Sequence, residues 1–360
     1  MLVCPECGKK YRRFKYLCSC GSVLLWEGKT EWTPSKEGGV WRYSKMLPSV
    51  KQKLSLEEGD TPLVKNRDFT RKYPNLYYKF EGDNPTGSFK DRGTAVVLSH
   101  ALSTGHSKVG VASTGNMGAS VSAYTAYANL GVEVFIPSDT PPSKVTQIVA
   151  YGANVKKVPG TFFECFSEVW KRRNRTYIAM TGVNPYYIEG EKTIAFELFE
   201  DIGVPDKVIV PVGTGGLITA IWKGFKELKQ AGASKVLPEM IGVQAEGFDP
   251  ITRAWEHQVR HFERPKRGHT IASSIAVKQP FNGLTALDAV KESGGFFSSV
   301  SDNEILKAMK QLAGEGIFAE PASAAALAAL EKDIGRSDEK IALVITGHGL
   351  KQTSAYSMIK

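Results

Sequence analysis

The residues Gly82-Asp83-Asn84-Pro85-Thr86-Gly87-Ser88-Phe89-Lys90-Asp91-Arg92-Gly93 place one lysine between a cluster of turn formers and a helical pattern. A strand-like run over 76–80 precedes them and a helix-like run begins at Thr94. Thr86 or Ser88 is expected to cap a helix that starts near Lys90. Unpaired N–H groups at such a start attract anions and favour a neutral amine over an ammonium. Lys90 is therefore a candidate nucleophile towards an aldehyde. The competing reading is a surface turn with an ordinary lysine, in a chain that holds 46 Lys and Arg.

Three further turns follow strand-like runs in the same way. Ser113-Thr114-Gly115-Asn116 follows 108–112, Gly213-Thr214-Gly215-Gly216-Leu217 follows 207–212, and Thr346-Gly347-His348-Gly349 follows 340–345. Strands are also expected at 132–136, 154–158 and 240–244, and helices at 117–129, 144–151, 162–173, 217–228 and 322–330. Strands alternating with helices predict an α/β fold with parallel sheets covered on both faces. Such sheets bind ligands beyond the carboxyl ends of their strands, where these turns lie. The loop from Gly213 to Leu217 can wrap a phosphate with backbone N–H groups. It is neither G-x-G-x-x-G nor a P-loop, so a nucleotide is not specifically indicated. A lysine for an aldehyde and a cradle for a phosphate together suit a phosphorylated aldehyde, pyridoxal 5′-phosphate.

The bulk numbers suit a globular chain. Its 360 residues, 42% hydrophobic and 23% charged, suggest two sizeable lobes. No apolar run reaches the roughly 18 residues of a membrane span, and Met1-Leu2-Val3-Cys4 does not open a signal peptide; a cytoplasmic protein without membrane partners is expected. The formal charge of +9 permits anionic partners. Its basic residues are scattered, apart from Lys171-Arg172-Arg173-Asn174-Arg175 and Arg264-Pro265-Lys266-Arg267. Without a basic-aromatic cluster no nucleic-acid partner is expected. Four of five cysteines fall in the first twenty residues, as Cys4/Cys7 and Cys18/Cys20, each pair followed by a glycine. This spacing suits tetrahedral coordination of a structural zinc, a zinc-ribbon-like segment, although the second pair is C-x-C. Disulfides are the alternative, and a cytoplasmic chain keeps its thiols reduced. Cys165 reads as a packed thiol. Residues 26–56 read as an arm lying across another domain or subunit.

Residues 82–93, 113–116, 210–217, Glu320-Pro321-Ala322-Ser323-Ala324 and 345–350 together resemble the threonine synthases of the β-family (fold type II) of pyridoxal-phosphate enzymes. The resemblance covers most of the chain from about residue 55. It implies two parallel-sheet α/β lobes, divided here as 1–28 (Cys-rich), 29–190 (with a smaller mobile lobe at about 94–180) and 191–360 (with the phosphate loop). It also implies a lyase that converts O-phospho-L-homoserine and water to L-threonine and phosphate, and a homodimer. Lys90 would be the Schiff-base lysine and base at Cα, with Phe89 near the cofactor. Asn116 would bond the ring hydroxyl, Gly213, Thr214, Gly215, Gly216 and Leu217 the phosphate, and Thr346 the pyridine nitrogen. Ser113, Thr114 and Asn184 would receive the substrate. His348 lies beside this set, either as part of the site or as a turn position.

The segment that in the family reads Asn-Ser-x-Asn-Pro-x-Arg-x-Glu-Gly-Gln-Lys-Thr departs here. Thr181-Gly182 replaces Asn-Ser and Tyr187 replaces the arginine. Leu217 stands where asparagine is common. Losing a fork-shaped cation weakens the hold on a phosphate dianion. A serine/threonine dehydratase, or an O-phosphoserine-dependent cysteine or cysteate synthase, therefore stays open on the same cofactor. A non-enzymatic zinc-ribbon protein that binds nucleic acid is the remaining alternative.

Overall fold

A computed structural model describes residues 1–67, 72–264, 268–332, 334–336 and 338–359. Of the basic run 264–267, only Arg264 lies within them. The chain divides into two compact units. The first comprises Met1–Lys29, Thr33–Gly59 and Asn84–Glu191; the second comprises Thr30–Trp32, Asp60–Asp83 and Lys192–Lys360.

The first unit is built on four parallel strands in the spatial order Asn154–Val158, Gly131–Pro137, Lys108–Ala112 and Tyr177–Ile178. Val109, Val111, Val134 and Ile136 are fully buried, as expected of β-branched residues covered on both faces. The helix Lys90–Ser103 is buried almost all round from Asp91 to Ser99, which marks a central helix rather than an amphipathic one. Asn116–Tyr127 is packed through small residues (Gly118, Ala119, Ser120, Ser122, Ala123). Phe162–Lys171 opens on a capping box, in which Glu164 accepts from the N–H of Thr161 at 2.7 Å.

Three short antiparallel strands, Leu2–Val3, Lys10–Tyr11 and Leu25–Trp26, form the N-terminal segment. Two aromatic residues tie it to the rest of its unit. Phe14 stacks on Tyr177 with centroids 5.8 Å apart and tilts against Tyr186 at 5.6 Å. The Tyr16 hydroxyl accepts from the N–H of Ile178 at 2.9 Å, and burial pushes its pKa up to about 12. Of the arm expected over 26–56, residues 30–32 group with the second unit, and residues 33–56 belong to the first, where they contribute to the core instead of lying on a surface. Val40, Trp41, Leu47 and Leu54 are buried in the first unit's core. Trp41 Nε1 donates to the Leu54 carbonyl at 2.9 Å, and the Leu54 N–H to Ser99 Oγ at 2.8 Å. Scattered Pro and Gly masked an apolar face that only packing reveals.

The second unit holds six strands in the order Phe296–Val300, Glu239–Ala245, Lys207–Pro211, Ile341–Ile345, Leu76–Phe80 and Leu63–Lys65. All pairs are parallel except the last. The helix Pro321–Leu330 is buried at every position, which its run of alanines permits. Buried lysines lock this unit, Lys79 and Lys192 most completely. Lys79 Nζ lies 2.8 Å from Glu197 and donates to the Thr61 carbonyl at 2.7 Å. Lys192 Nζ lies 2.7 Å from Glu227, on the helix Gly216–Gln230. Neither charge could be buried alone. Among the described residues, no helix is long and apolar enough to cross a membrane.

Candidate active site

In the first unit, Lys90 is the first residue of its helix. The cap differs from expectation. Phe89 occupies the N-cap without a side-chain hydrogen bond. Thr86 Oγ1 donates to Asp91 Oδ1 and the Thr86 N–H to Asp91 Oδ2, both at 2.7 Å. The Asp91 carboxylate thus gathers the turn from inside the helix, and buried Ser88 Oγ has no hydrogen-bond partner. Lys90 Nζ lies 3.9 Å from the Phe89 ring centroid and donates to Glu191 Oε1 at 3.0 Å. Glu191 is fully buried, and it closes the short helix Tyr186–Glu191.

Two glycines bring these helices together. A Cβ on Gly93 would lie 2.3 Å from Tyr187 Cδ1, and one on Gly190 would lie 2.0 Å from the Arg92 carbonyl oxygen. With no side chain at either position, the backbones touch and Glu191 reaches Lys90. Sequence reasoning missed Glu191. Its signal was that Glu191 stands where the family segment quoted above has glutamine.

The loop after Lys108–Ala112 carries Ser113, Thr114 and Asn116, all half-buried. Ser113 Oγ accepts from the N–H groups of Gly115 at 3.2 Å and Gly118 at 3.1 Å, so it shapes the start of the helix Asn116–Tyr127. Asn184 is buried; its Nδ2 donates to the Ile178 carbonyl at 2.9 Å, and its Oδ1 accepts from the Tyr186 N–H at 3.1 Å. Its amide is committed to the turn that leads to Glu191. Tyr187 is also wholly buried. Its hydroxyl pairs with Thr94 Oγ1 at 3.3 Å and donates to the Ala179 carbonyl at 3.4 Å, and burial pushes its pKa up. It is a core residue.

In the second unit, the strands Lys207–Pro211 and Ile341–Ile345 are parallel neighbours, so the turns that follow them leave the same edge of the sheet. Gly215 has φ +92° and is the N-cap of the 15-residue helix Gly216–Gln230, with no side chain capping it. A Cβ there would lie 2.6 Å from the Asn282 carbonyl oxygen, and the Asn282 N–H donates to the Thr214 carbonyl at 2.8 Å. Gly213 is similarly confined, with Ser274 O 3.3 Å from its would-be Cβ. The result is a helix start with no side chain capping its first N–H groups, which fits a phosphate. Leu217, the second helical residue, is buried.

Thr346 is buried, its Oγ1 2.9 Å from Ser323 Oγ and 3.4 Å from Glu320 Oε1. Ser323 also accepts from the Gly347 N–H at 2.9 Å. The Glu320-Pro321-Ala322-Ser323 run thereby holds the turn 346–347. His348 takes the turn-position reading, since its Nδ1 accepts from the Leu350 N–H at 3.1 Å.

At the N-terminus, the sulfurs of Cys4, Cys7, Cys18 and Cys20 all lie within 4.8 Å of one another. The Cys4–Cys20 and Cys7–Cys18 separations are 3.6 and 3.5 Å. Zn–S bonds of about 2.3 Å in a tetrahedron set sulfurs roughly 3.8 Å apart, so the four thiols fit zinc. Gly8 and Gly21 adopt φ of +70° and +90°, and their N–H groups bond back to the Cys4 and Cys18 carbonyls at 3.0 Å. The Cys18 thiol is lowered to about 5, first by the Cys20 backbone N–H and then by the Tyr11 hydroxyl. Cys165 is buried, which pushes its thiol up to about 11.

Residues 54–347 match the model of the pyridoxal-phosphate dependent enzyme family. The threonine synthase of Methanocaldococcus jannaschii is 41% identical, over 98% of this chain and 93% of that relative. The chain belongs to the threonine synthase family. The threonine synthases of Methanosarcina acetivorans (41%, over 97% of this chain and 92% of the relative) and Halalkalibacterium halodurans (40%, over 87% and 89%) agree with this assignment. Among solved structures, maize serine racemase has a TM-score of 0.71 at 21% identity, covering 83% of this chain and 91% of its own. That likeness is one of fold. Threonine synthase membership makes the chain an enzyme of the lyase class.

Proposed function

We propose that this member of the threonine synthase family converts O-phospho-L-homoserine and water to L-threonine and phosphate, with pyridoxal 5′-phosphate carried on Lys90. The observation that carries this reading is that relatives named threonine synthase align over nearly the whole chain at about 40% identity. The residues support the cofactor. Lys90 would hold it covalently, the loop from Gly213 to Leu217 would take its phosphate, Asn116 its ring hydroxyl and Thr346 its ring nitrogen. When bound, pyridoxal phosphate withdraws electrons from the substrate's Cα and so makes protons there removable. A neutral hydroxyl at Thr346 moderates that withdrawal, because it cannot hold a pyridinium as a carboxylate would. Lys90 Nζ would accept the Cα proton and return protons to the carbons beyond. Ser113 and Thr114 would receive the substrate's carboxylate, and Asn184 would act by fixing its turn. The reading extends to a structural zinc on Cys4, Cys7, Cys18 and Cys20, and to a cytoplasmic homodimer.

Burial of Tyr187 favours a second reading. The family's arginine is replaced by a side chain turned into the core, which removes a cation from the hold on a phosphate dianion. A dehydratase acting on serine or threonine, or a β-replacing synthase acting on O-phosphoserine, requires less of that position. Assay of phosphate release from O-phosphohomoserine, against 2-oxoacid formation from serine and threonine, decides between the two. Threonine and phosphate in equal amounts are expected. Oxoacid formation with no phosphate release would replace the first reading by the second.

A further inference from the structure

Lys90 and Glu191 meet across 101 positions of sequence, Nζ to Oε1 at 3.0 Å. The second unit contains other buried or nearly buried lysines paired with carboxylates, among them Lys207, which keeps 11% of its side-chain surface beside Glu239 and Glu339. Lys79 and Lys192 keep 1% and 0% of their side-chain surface, and both serve to join elements. Lys90 keeps 14%, while Glu191 keeps none. This pair therefore joins a fully covered carboxylate to a lysine side chain that is partly exposed. The Phe89 ring covers a further side of the amine, 3.9 Å from Nζ. Gly93 and Gly190 let the two backbones approach closely, which places the Glu191 backbone beside the helix that carries Lys90.

We propose that Glu191 is the proton partner of Lys90 when that lysine captures an aldehyde, an inference that rests on the reading of Lys90 given above. The Lys90 ammonium passes a proton from Nζ to Glu191 Oε1, and the freed lone pair forms a bond to the aldehyde carbon. The carbonyl oxygen becomes a hydroxyl, taking up the second proton that the nitrogen sheds. Glu191 then returns its proton to that hydroxyl, which leaves as water as the C=N bond forms. The nitrogen keeps one proton and one positive charge, again facing a carboxylate. Charge and atoms balance: one ammonium and one aldehyde yield one protonated C=N linkage and one water. A positioned carboxylate in such a role contributes about 10²–10⁴-fold.

The test uses the full chain freed of cofactor and mixed with pyridoxal 5′-phosphate. The growth of the new absorbance is timed, and the product is trapped with borohydride and mapped to its residue. Glu191→Gln should slow capture by about 10²-fold. Glu191→Ala should be as slow and should recover in proportion to added formate. Glu191→Asp, which keeps the carboxylate but retracts it, should fall between the unaltered chain and Glu191→Gln. Circular dichroism establishes that each variant is folded. A Glu191→Gln rate equal to or above that of the unaltered chain would overturn the proposal. If Glu191→Ala does not fold, a Glu191→Asp rate no faster than Glu191→Gln does the same. Trapping at a residue other than Lys90 in the unaltered chain would instead sink the reading of Lys90, and this proposal with it.

Discussion

Replacing Gly190 by alanine sets two opposite effects against each other. Gly190 lies in the helix Tyr186–Glu191 without a positive φ, so alanine suits its backbone and should favour the helix by about 1 kcal/mol. The packing opposes it. The new Cβ would stand 2.0 Å from the Arg92 carbonyl oxygen, 2.5 Å from Arg92 C and 2.7 Å from Gly93 Cα. All three are backbone atoms of the neighbouring helix, and none can rotate away. Tolerable contact begins near 3.0 Å, so the helices must part by roughly 1 Å. Overpacking of this kind costs about 1–3 kcal/mol, occasionally more. A backbone collision belongs at the upper end, leaving a net loss of about 2 kcal/mol. The same displacement would stretch the 3.0 Å Lys90–Glu191 contact beyond hydrogen-bonding range. Misplacement by 1 Å costs about 10²-fold in rate. Urea unfolding followed by circular dichroism should thus show a lowered midpoint, and aldehyde capture at Lys90 should slow. Gly314→Ala is the control: it ends the helix Asp302–Gly314, and its Cβ would meet nothing within 4 Å. It should be neutral or slightly stabilising. Should Gly190→Ala match the unaltered chain in both stability and capture, close backbone approach is not what positions Glu191.

Glu58 gives a pH prediction. Burial pushes its pKa up to about 7 from 4.5, against the opposing hydrogen bond from the Tyr124 hydroxyl at 2.7 Å. Between those values the folded state holds a proton that the unfolded state has lost, so stability falls as pH rises from about 4.5 to about 7. At about 1.4 kcal/mol per pH unit the contribution approaches roughly 3 kcal/mol. Glu58→Gln should flatten that part of the stability profile, measured by urea unfolding at several pH values; an unchanged slope would show that another group sets it. The four N-terminal cysteines predict one zinc per chain by elemental analysis. Its removal by a chelator should lower the thermal midpoint, because the thiols then lose the bonds that hold the segment bearing Phe14 and Tyr16. A chain with no bound zinc and four titratable thiols, equally stable in chelator, would rule out a structural zinc.

Much of the architecture was legible in sequence because its determinants are local. Apolar strands such as Lys207–Pro211 and Ile341–Ile345, each followed by glycines, state their type within a few residues. The helices read from pattern agree with the observed ones to within two residues at most ends. Helices such as Thr193–Ile202 and Asp302–Gly314 were not read in advance. Thr193–Ile202 follows an unbroken stretch of helix-compatible residues with no clear stop between them.

The sequence by itself determined which residues are equipped for chemistry. Lys90 starts a helix, Gly213, Gly215 and Gly216 shape a bare helix start, and two cysteine pairs lie close enough to meet. Each of these follows from residue type and short-range spacing. Tertiary structure decided what those residues face. Glu191 reaches Lys90 only because two glycines, Gly93 and Gly190, let distant helices touch. Tyr187 turns into the core, where its hydroxyl pairs with Thr94 and donates to the Ala179 carbonyl. Residues 33–59 fold inward because Val40, Trp41, Leu47 and Leu54 bury an apolar face in the first unit's core, where the Leu54 N–H also meets Ser99. Such contacts depend on packing between segments far apart in the chain, and no local pattern records them.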